Sequence, residues 1–264
     1  VDNGSLKENV IDLDQKLHKS EKLIFEKIES NIGYGQGTNH GLNVASKFNP
    51  DYYLIMNNDT IIDSKAISAM VEASELYKGK ARVTGKVYRF DEPTKFEDVG
   101  SAYKNKRLLE YRHLALNQID NNQFEKIEER DMIDDVFVMQ SAQFMKDVGG
   151  YSKDLWINGV NLDLGLRALN KGYKLVYTPH AKLWHKGSLS IGGRKTNPKT
   201  AFWNVQSQLI IRYKYLNILN FSFVYFRVLL NSTRTFVKYL FLRIFKGINI
   251  RDYAYAKFKG MAYF

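Results

Sequence analysis

Over the first two hundred residues, short β-rich runs alternate with amphipathic segments, the pattern of βα units around a mostly parallel sheet. Residues 23–27 read as a strand. The Gly-rich NIGYGQGTN (31–39) reads as a loop opening a short helix that runs to Lys47. Residues 52–56 form a continuous apolar run, as expected of a central buried strand. Asp63 or Ser64 then caps a helix whose Ile67, Met70, Val71, Ala73, Leu76 and Tyr77 recur at helical spacing, and a strand follows at 82–88. Residues 89–130 are polar, mixed in charge and weakly periodic, and are read as a variable loop region placed to meet substrate. After it come a strand at 136–139, a turn at Gly149 and Gly150, and a helix striped by Leu162, Leu166 and Leu169 and ended by Gly172. A strand at 174–177 precedes Pro179. From Phe202 the chain turns aromatic and basic, which divides it into an α/β domain at 1–200 and a helical tail at 201–264.

Composition narrows the chemistry. A hydrophobic fraction of 44% over 264 residues supports a folded core. With no cysteine, disulfides, thiolate metal sites and cysteine nucleophiles are excluded, so any metal is held by oxygen or imidazole ligands. The net charge of +11 calls for an anionic partner. Most of it sits after residue 200, where ten Lys or Arg face one acidic residue, Asp252.

A strand ending in Asn57-Asn58-Asp59 places amides and a carboxylate at a sheet edge, where open α/β folds bind ligands. Either it is a β-turn built of favoured turn residues or it is a site for a metal-bound diphosphate. The glycines of NIGYGQGTN, Gly33 among them, allow close backbone approach to a ligand and equally suit a strand-to-helix turn. His185, in TPHAKLWHKGSLS, is either structural or completes a metal or phosphate site with Lys186 and Ser188.

The motifs VDNGS, NIGYGQGTNHG, NNDT, DVGGYS, DLGLRALNKGYKLVYTP and AKLWH, in that order, resemble the family-2 inverting glycosyltransferases, especially the rhamnosyltransferase-like branch of bacterial surface-polysaccharide synthesis. The resemblance covers about residues 1–190. It implies a GT-A (Rossmann-like) fold, an activated nucleoside-diphosphate sugar as donor, and Mn²⁺ or Mg²⁺ on the diphosphate. Asp2 resembles the base-contacting aspartate, Asn31, Gly33 and Asn39 belong to the donor-site motif, Asn57, Asn58 and Asp59 to the DxD-like element, and His185 is the late histidine near the diphosphate, with Lys186 and Ser188 beside it. Asp59 and His185 are the implied metal ligands.

Two departures bear on activity. The family's Glu-Asp pair, which carries the catalytic base, reads Val160-Asn161 here, and an amide cannot take up the acceptor's proton. Asp163 survives, but helix geometry turns it about 200° from Asn161, which favours a structural role with Arg167 one turn later. The family's opening strand and helix are also missing before VDNGS, which implies a truncated start. The expected function is therefore sugar transfer with inversion to a glycan or lipid-linked acceptor, with a non-catalytic, donor-binding or membrane-scaffolding relative as the alternative. Sugar nucleotidyl transfer ranks lower, for want of the basic Gly-rich loop near the N-terminus.

Within 219–246, Arg227, Asn231, Arg234 and Lys238 share one helical face among aromatic and aliphatic residues. The longest uncharged run there, the twelve residues 215–226, is too short to span a bilayer. The expectation is a peripheral helix on an anionic membrane, at the cytoplasmic face of the cell membrane, and no nucleic-acid partner.

Overall fold

The computed structural model describes residues 1–5, 23–187, 197–246 and 251–264, with the side chains of 245 and 246 set aside. In chain order the elements are β1 (Asp2–Asn3), β2 (Lys27–Ile28), α1 (Tyr34–Ser46), β3 (Tyr52–Met56), β4 (Thr60–Ile62), α2 (Ala66–Glu75), β5 (Ala81–Arg89), β6 (Phe96–Asp98), β7 (Ser101–Asn105), β8 (Glu110–His113), β9 (Glu128–Glu129) and β10 (Phe137–Ser141). They continue with α3 (Ala142–Val148), α4 (Val160–Asn170), β11 (Lys174–His185), α5 (Pro198–Tyr215), α6 (Ile218–Lys246) and α7 (Arg251–Ala262).

The main sheet runs β3-β10-β5-β11-β4, with β6 on β5 and β9 on β11. It is mixed rather than mostly parallel: of its described strand pairs only β5 with β11 is parallel. Parallel strands need a crossover of a dozen residues or more, commonly a helix. Residues 90–136 supply no α-helix between β5 and β10; they form short strands, including the β7–β8 hairpin, and return the chain antiparallel. The stretch expected to be loop is thus a β-rich excursion.

β3 pairs only with β10 among the described residues, so it lies at an edge of this sheet and is half-buried, not central. Strand β11 continues through Pro179 to His185, and its register on β5 slips between Tyr177 and Lys182, an irregularity where a proline without an N–H is tolerated.

Alternation along the strands builds two cores. Tyr53, Ile55, Val138 and Leu175 face Leu42 of α1, Phe144 of α3, Val160, Leu164 and Ala168 of α4, and Ile211 of α5. Val83, Phe137, Met139 and Val176 face Ala66, Ala69, Met70 and Ala73 of α2. Helices therefore cover both faces. The buried stripe of α4 is Val160-Leu164-Ala168, turned one to two positions from the expected leucines, which lie half-buried at its margin. Helix α5 crosses the boundary drawn at 200, and its Ile211 belongs to the α/β core. No described helix is long and apolar enough to cross a membrane.

At the centre of the first core lies Arg82, fully buried on β5. Its guanidinium donates to Asp135 Oδ1 (2.7 Å), Gln140 Oε1 (2.9 Å) and the Tyr151 hydroxyl (2.9 Å). Burial opposes its charge, but Asp135 outweighs that and raises the pKa. Removing one partner of such a pair strands the other charge in the core. Arg82→Met should therefore lower stability by about 3–5 kcal/mol, read as a shifted urea midpoint at unchanged slope.

Candidate functional site

The site forms where β3 ends. The Asn57 N–H donates to Val136 O (3.1 Å), the Thr60 hydroxyl closes the turn onto Asn57 O (2.6 Å), and β4 then pairs with the end of β11 so that Thr60 lies opposite His185. Asp59 and His185, 126 positions apart in sequence, meet through this pairing: His185 Nε2 lies 3.2 Å from Asp59 Oδ1 and 3.2 Å from Asn57 Nδ2. Behind the ring, Glu97 Oε1 is 2.8 Å from His185 Nδ1. Burial lowers the imidazole's affinity for a second proton, but the Glu97 hydrogen bond and the Glu97 and Asp59 charges outweigh it and raise its pKa.

Glu97 escaped the sequence reading because it lies in the stretch assigned to loop. Phe96, Glu97 and Asp98 alternate buried, half-buried and buried as a strand does, but with both acidic residues adjacent the sequence shows no apolar alternation there.

Asp59 and His185 suit a hard divalent cation. Adjacent ligands of an octahedral ion at about 2.1 Å stand roughly 3 Å apart, close to the observed separation. A carboxylate on Nδ1 is the usual partner that leaves Nε2 as the donor atom. Among the described residues no group of three His, Asp or Glu is poised as a complete cage. Two protein ligands with the rest from phosphate and water is the arrangement Mg²⁺ prefers.

On the other side of the turn, β1 and β2 pair in parallel. Asp2 accepts from Ser5 N on Oδ1 (3.3 Å), while its buried Oδ2 has no partner. Asn31 Oδ1 accepts from Gly33 N (2.9 Å). Most of the Gly-rich segment is helix, because α1 starts at Tyr34, and the close approaches there are within the protein. A Cβ on Gly33, whose φ is +87°, would meet Trp156 O at 2.7 Å, and one on Gly37 would meet Asn3 Nδ2 at 2.9 Å. Asn39 faces the protein as well, donating to Tyr151 O (2.9 Å) and accepting from Tyr151 N (2.8 Å). Asn58 is exposed at the turn, and Lys186 donates its backbone N–H to Asp59 O (3.0 Å). Ser188 lies outside the described residues.

At the start of α4, Asn161 Nδ2 donates to Asp134 Oδ1 (3.2 Å). Asp163 is buried under Arg167 (2.9 Å), Lys214 (2.8 Å) and the Tyr215 hydroxyl (2.8 Å). Burial opposes its charge, yet these three partners hold its pKa below the ordinary value. Its carboxylate ties α4 to α5 instead of opening on the site. A cavity of about 470 Å³ begins beside Asn158 and Gly159, lined also by Tyr111, Arg212 and Arg227, and not by Asp59 or His185. The Tyr111 hydroxyl, Asn158 Nδ2 and Arg212 Nε are buried in its wall without partners.

No protein-family model matches the sequence, and no curated protein matches it. Among solved structures, GalNAc-T7 with UDP, GalNAc and Mn²⁺ is similar over 74% of this chain, with a TM-score of 0.57 and 12% identity. The fold is GT-A. This chain spans 37% of the GalNAc-T7 chain, so the likeness concerns the GT-A unit.

Within that GT-A unit, Asn39 clamps α1 to the turn after α3, and Gly150 is needed there because any Cβ would collide with the Asn39 amide. Asn39→Ala leaves the Tyr151 N–H unpaired and its carbonyl with only the long bond from Gln36 Nε2 (3.5 Å). It should lower stability by about 2 kcal/mol in urea denaturation, and a loss confined to nucleotide affinity would show instead that the amide serves a ligand.

Proposed function

We propose that the protein is a metal-assisted glycosyltransferase that moves a sugar from a nucleoside diphosphate to a hydroxyl acceptor with inversion. The observation that carries this reading is the meeting of Asp59 and His185, with Glu97 behind, at the end of β3 in a GT-A fold. Asp59 and His185 would hold Mn²⁺ or Mg²⁺, which offsets charge on the departing diphosphate. Asp2, with its unpaired Oδ2, suits an N–H donor such as that of a pyrimidine base. Asn57 orients the imidazole, exposed Asn58 and the Lys186 cation, which lies over the Phe90 ring, would serve the phosphates, and Asn31 holds the Gly33 turn. The acceptor would enter from the cavity beside Asn158. The motif order from VDNGS to AKLWH supports the rhamnosyltransferase-like branch, in bacterial surface-polysaccharide synthesis, with a lipid-linked glycan as acceptor.

Helix α6 supports a membrane-bound setting. Val224, Val228, Ser232 and Tyr239 are its buried residues. Leu219, Phe223, Phe226, Leu230, Val237 and Ile244 form an exposed apolar stripe about 180° away. Exposed Arg234 and Lys238 run beside that stripe. An apolar stripe edged by cations matches the headgroup boundary of an anionic leaflet, and the leaflet facing the cytoplasm is the one we assign.

Two measurements test these readings. Titration calorimetry with UDP should show Mn²⁺-dependent binding that Asp59→Ala and His185→Ala abolish and Glu97→Gln weakens about 10–100-fold. Binding indifferent to Asp59 and His185 would remove their metal role. Sedimentation with vesicles of roughly 30% phosphatidylserine should capture the protein, and serine at Leu219, Phe223 and Leu230 together should release it. So should neutralising Arg234 and Lys238, at about 1 kcal/mol per charge.

A further inference from the structure

Transfer with inversion needs a group that takes the proton of the attacking hydroxyl, and Asn161 cannot. The segment leading into β10 brings a carboxylate to the same place. Strand β10 runs antiparallel to β3 with Phe137 opposite Met56, and Asn57 N is bonded to Val136 O, so residues 134 and 135 pass alongside the Asn57–Asp59 turn. Asp135 is fixed in the core by Arg82, and its carbonyl accepts from the Tyr34 hydroxyl (3.3 Å) at the start of α1.

Asp134 turns the other way, toward α4. Both of its hydrogen bonds fall on one oxygen: Oδ1 accepts from Asp135 N (2.7 Å) and from Asn161 Nδ2 (3.2 Å). No described residue donates to Oδ2. The side chain is half-buried, which leaves that oxygen a way out. Asn161, whose own Oδ1 accepts from Leu162 N (2.9 Å), is thereby oriented to hold Asp134 rather than to react. Asp134 thus stands between the donor-side turn and the α4 terminus that opens the acceptor cavity.

Resting on the donor reading above, we propose that Asp134 is the catalytic base of this chain, in place of the carboxylate lost at Asn161. As the acceptor oxygen bonds to the anomeric carbon, the bond from that carbon to the diphosphate oxygen breaks and its electron pair leaves with the nucleoside diphosphate. The hydroxyl proton passes to Asp134 Oδ2 and later to solvent.

The surroundings tune the group for this. Burial, with the Asp98 and Asp135 carboxylates, pushes its carboxyl up to about 6, against the Asp135 N–H bond and the His113 charge. The titratable groups around it are Asp98 on β6, His113 on β8 (Nδ1 3.4 Å from Asp98), Asp135 with its partner Arg82, and Tyr34 on α1. A base works ionised, so turnover should fall as pH drops through about 6.

The test follows release of nucleoside diphosphate from a panel of UDP- and dTDP-sugars with Mn²⁺ and water as the acceptor, alongside UDP–Mn²⁺ affinity by calorimetry. Asp134→Asn should slow release by about 10²–10⁴-fold, erase the acid limb, and leave UDP–Mn²⁺ affinity within about twofold. Exchanging the two groups, as Asp134→Asn with Asn161→Asp, should recover about tenfold or more. A release rate within about threefold of the unchanged protein's, or an acid limb that survives Asp134→Asn, overturns the assignment. Binding of UDP–Mn²⁺ by the unchanged protein without any release also overturns it and leaves the donor site standing. Failure of the unchanged protein to bind UDP–Mn²⁺ removes the donor reading itself, and this assignment with it.

Discussion

The buried ion pair between Arg82 and Asp135 sets the geometry on which the site depends. It joins the second residue of β5 to the segment that enters β10, and through the Tyr151 hydroxyl it reaches the turn after α3. Even so, Arg82 Nη1 and Asp135 Oδ2 remain buried without partners, so the pair is not an optimal packing solution. A buried ion pair is weak grounds for stability and better grounds for fixing one arrangement. Here the arrangement fixed is the path of residues 134–136 past the end of β3. With Asp135 anchored inward, Asp134 faces α4 and Val136 O stays available to Asn57 N.

A second constraint is the length of β11. Twelve residues carry the chain from the core, where Leu175 and Val176 are buried, out to His185 at the rim. Either side of the irregularity after Tyr177 the strand pairs with β5, while its other edge takes β9 near the start and β4 at the end. Because β4 is only three residues long and follows the Asn57–Asp59 turn directly, its pairing with β11 decides where Asp59 points. The meeting of Asp59 and His185 is thus a product of strand register, and a one-residue slip would turn His185 to the opposite face of the sheet.

How much of this could be read from sequence follows from which signals are local. The strand at Tyr52–Met56, the helix after Asp63 and the strand beginning at Lys174 are written in short-range periodicity and turn residues, though not the continuation of that last strand past Pro179 to His185 nor the cap itself, which falls at Lys65; the GT-A fold came with the order of the motifs. Asp59 and His185 stood out because polar residues at the ends of apolar runs are a local pattern, and the fold brings the two side chains to 3.2 Å. Strand direction is not local. In a parallel sheet the paired carboxylates Asp134-Asp135, which precede their strand, belong at the edge opposite Asp59. Only the antiparallel return through 90–136 brings them beside it. Glu97 was hidden by the same excursion. The glycines of NIGYGQGTN answer to protein that is distant in sequence: Trp156 and Tyr151, more than a hundred residues downstream, crowd Gly33 and Gly35, and Asn3 crowds Gly37 from upstream.

The helical tail is bound into this arrangement rather than appended to it. Asp163 holds Lys214 and Tyr215, Arg212 donates to Leu109 O (3.1 Å), and Arg227 pairs with Glu110, so α5 and α6 are tied both to α4 and to the β7–β8 hairpin. The cavity proposed for the acceptor is walled by these same pieces: Glu110 and Tyr111 from the hairpin, Asn158 and Gly159 before α4, Arg212 from α5 and Arg227 from α6. If α6 lies on a membrane by its outer stripe, Arg227, on the flank it shares with Arg234 and Lys238, reaches the cavity from beside that stripe, and its pairing with Glu110 fixes the hairpin that closes it. Attachment to the surface and presentation of an acceptor to Asp134 would then be one geometric fact, set by which face of a single helix meets the lipid.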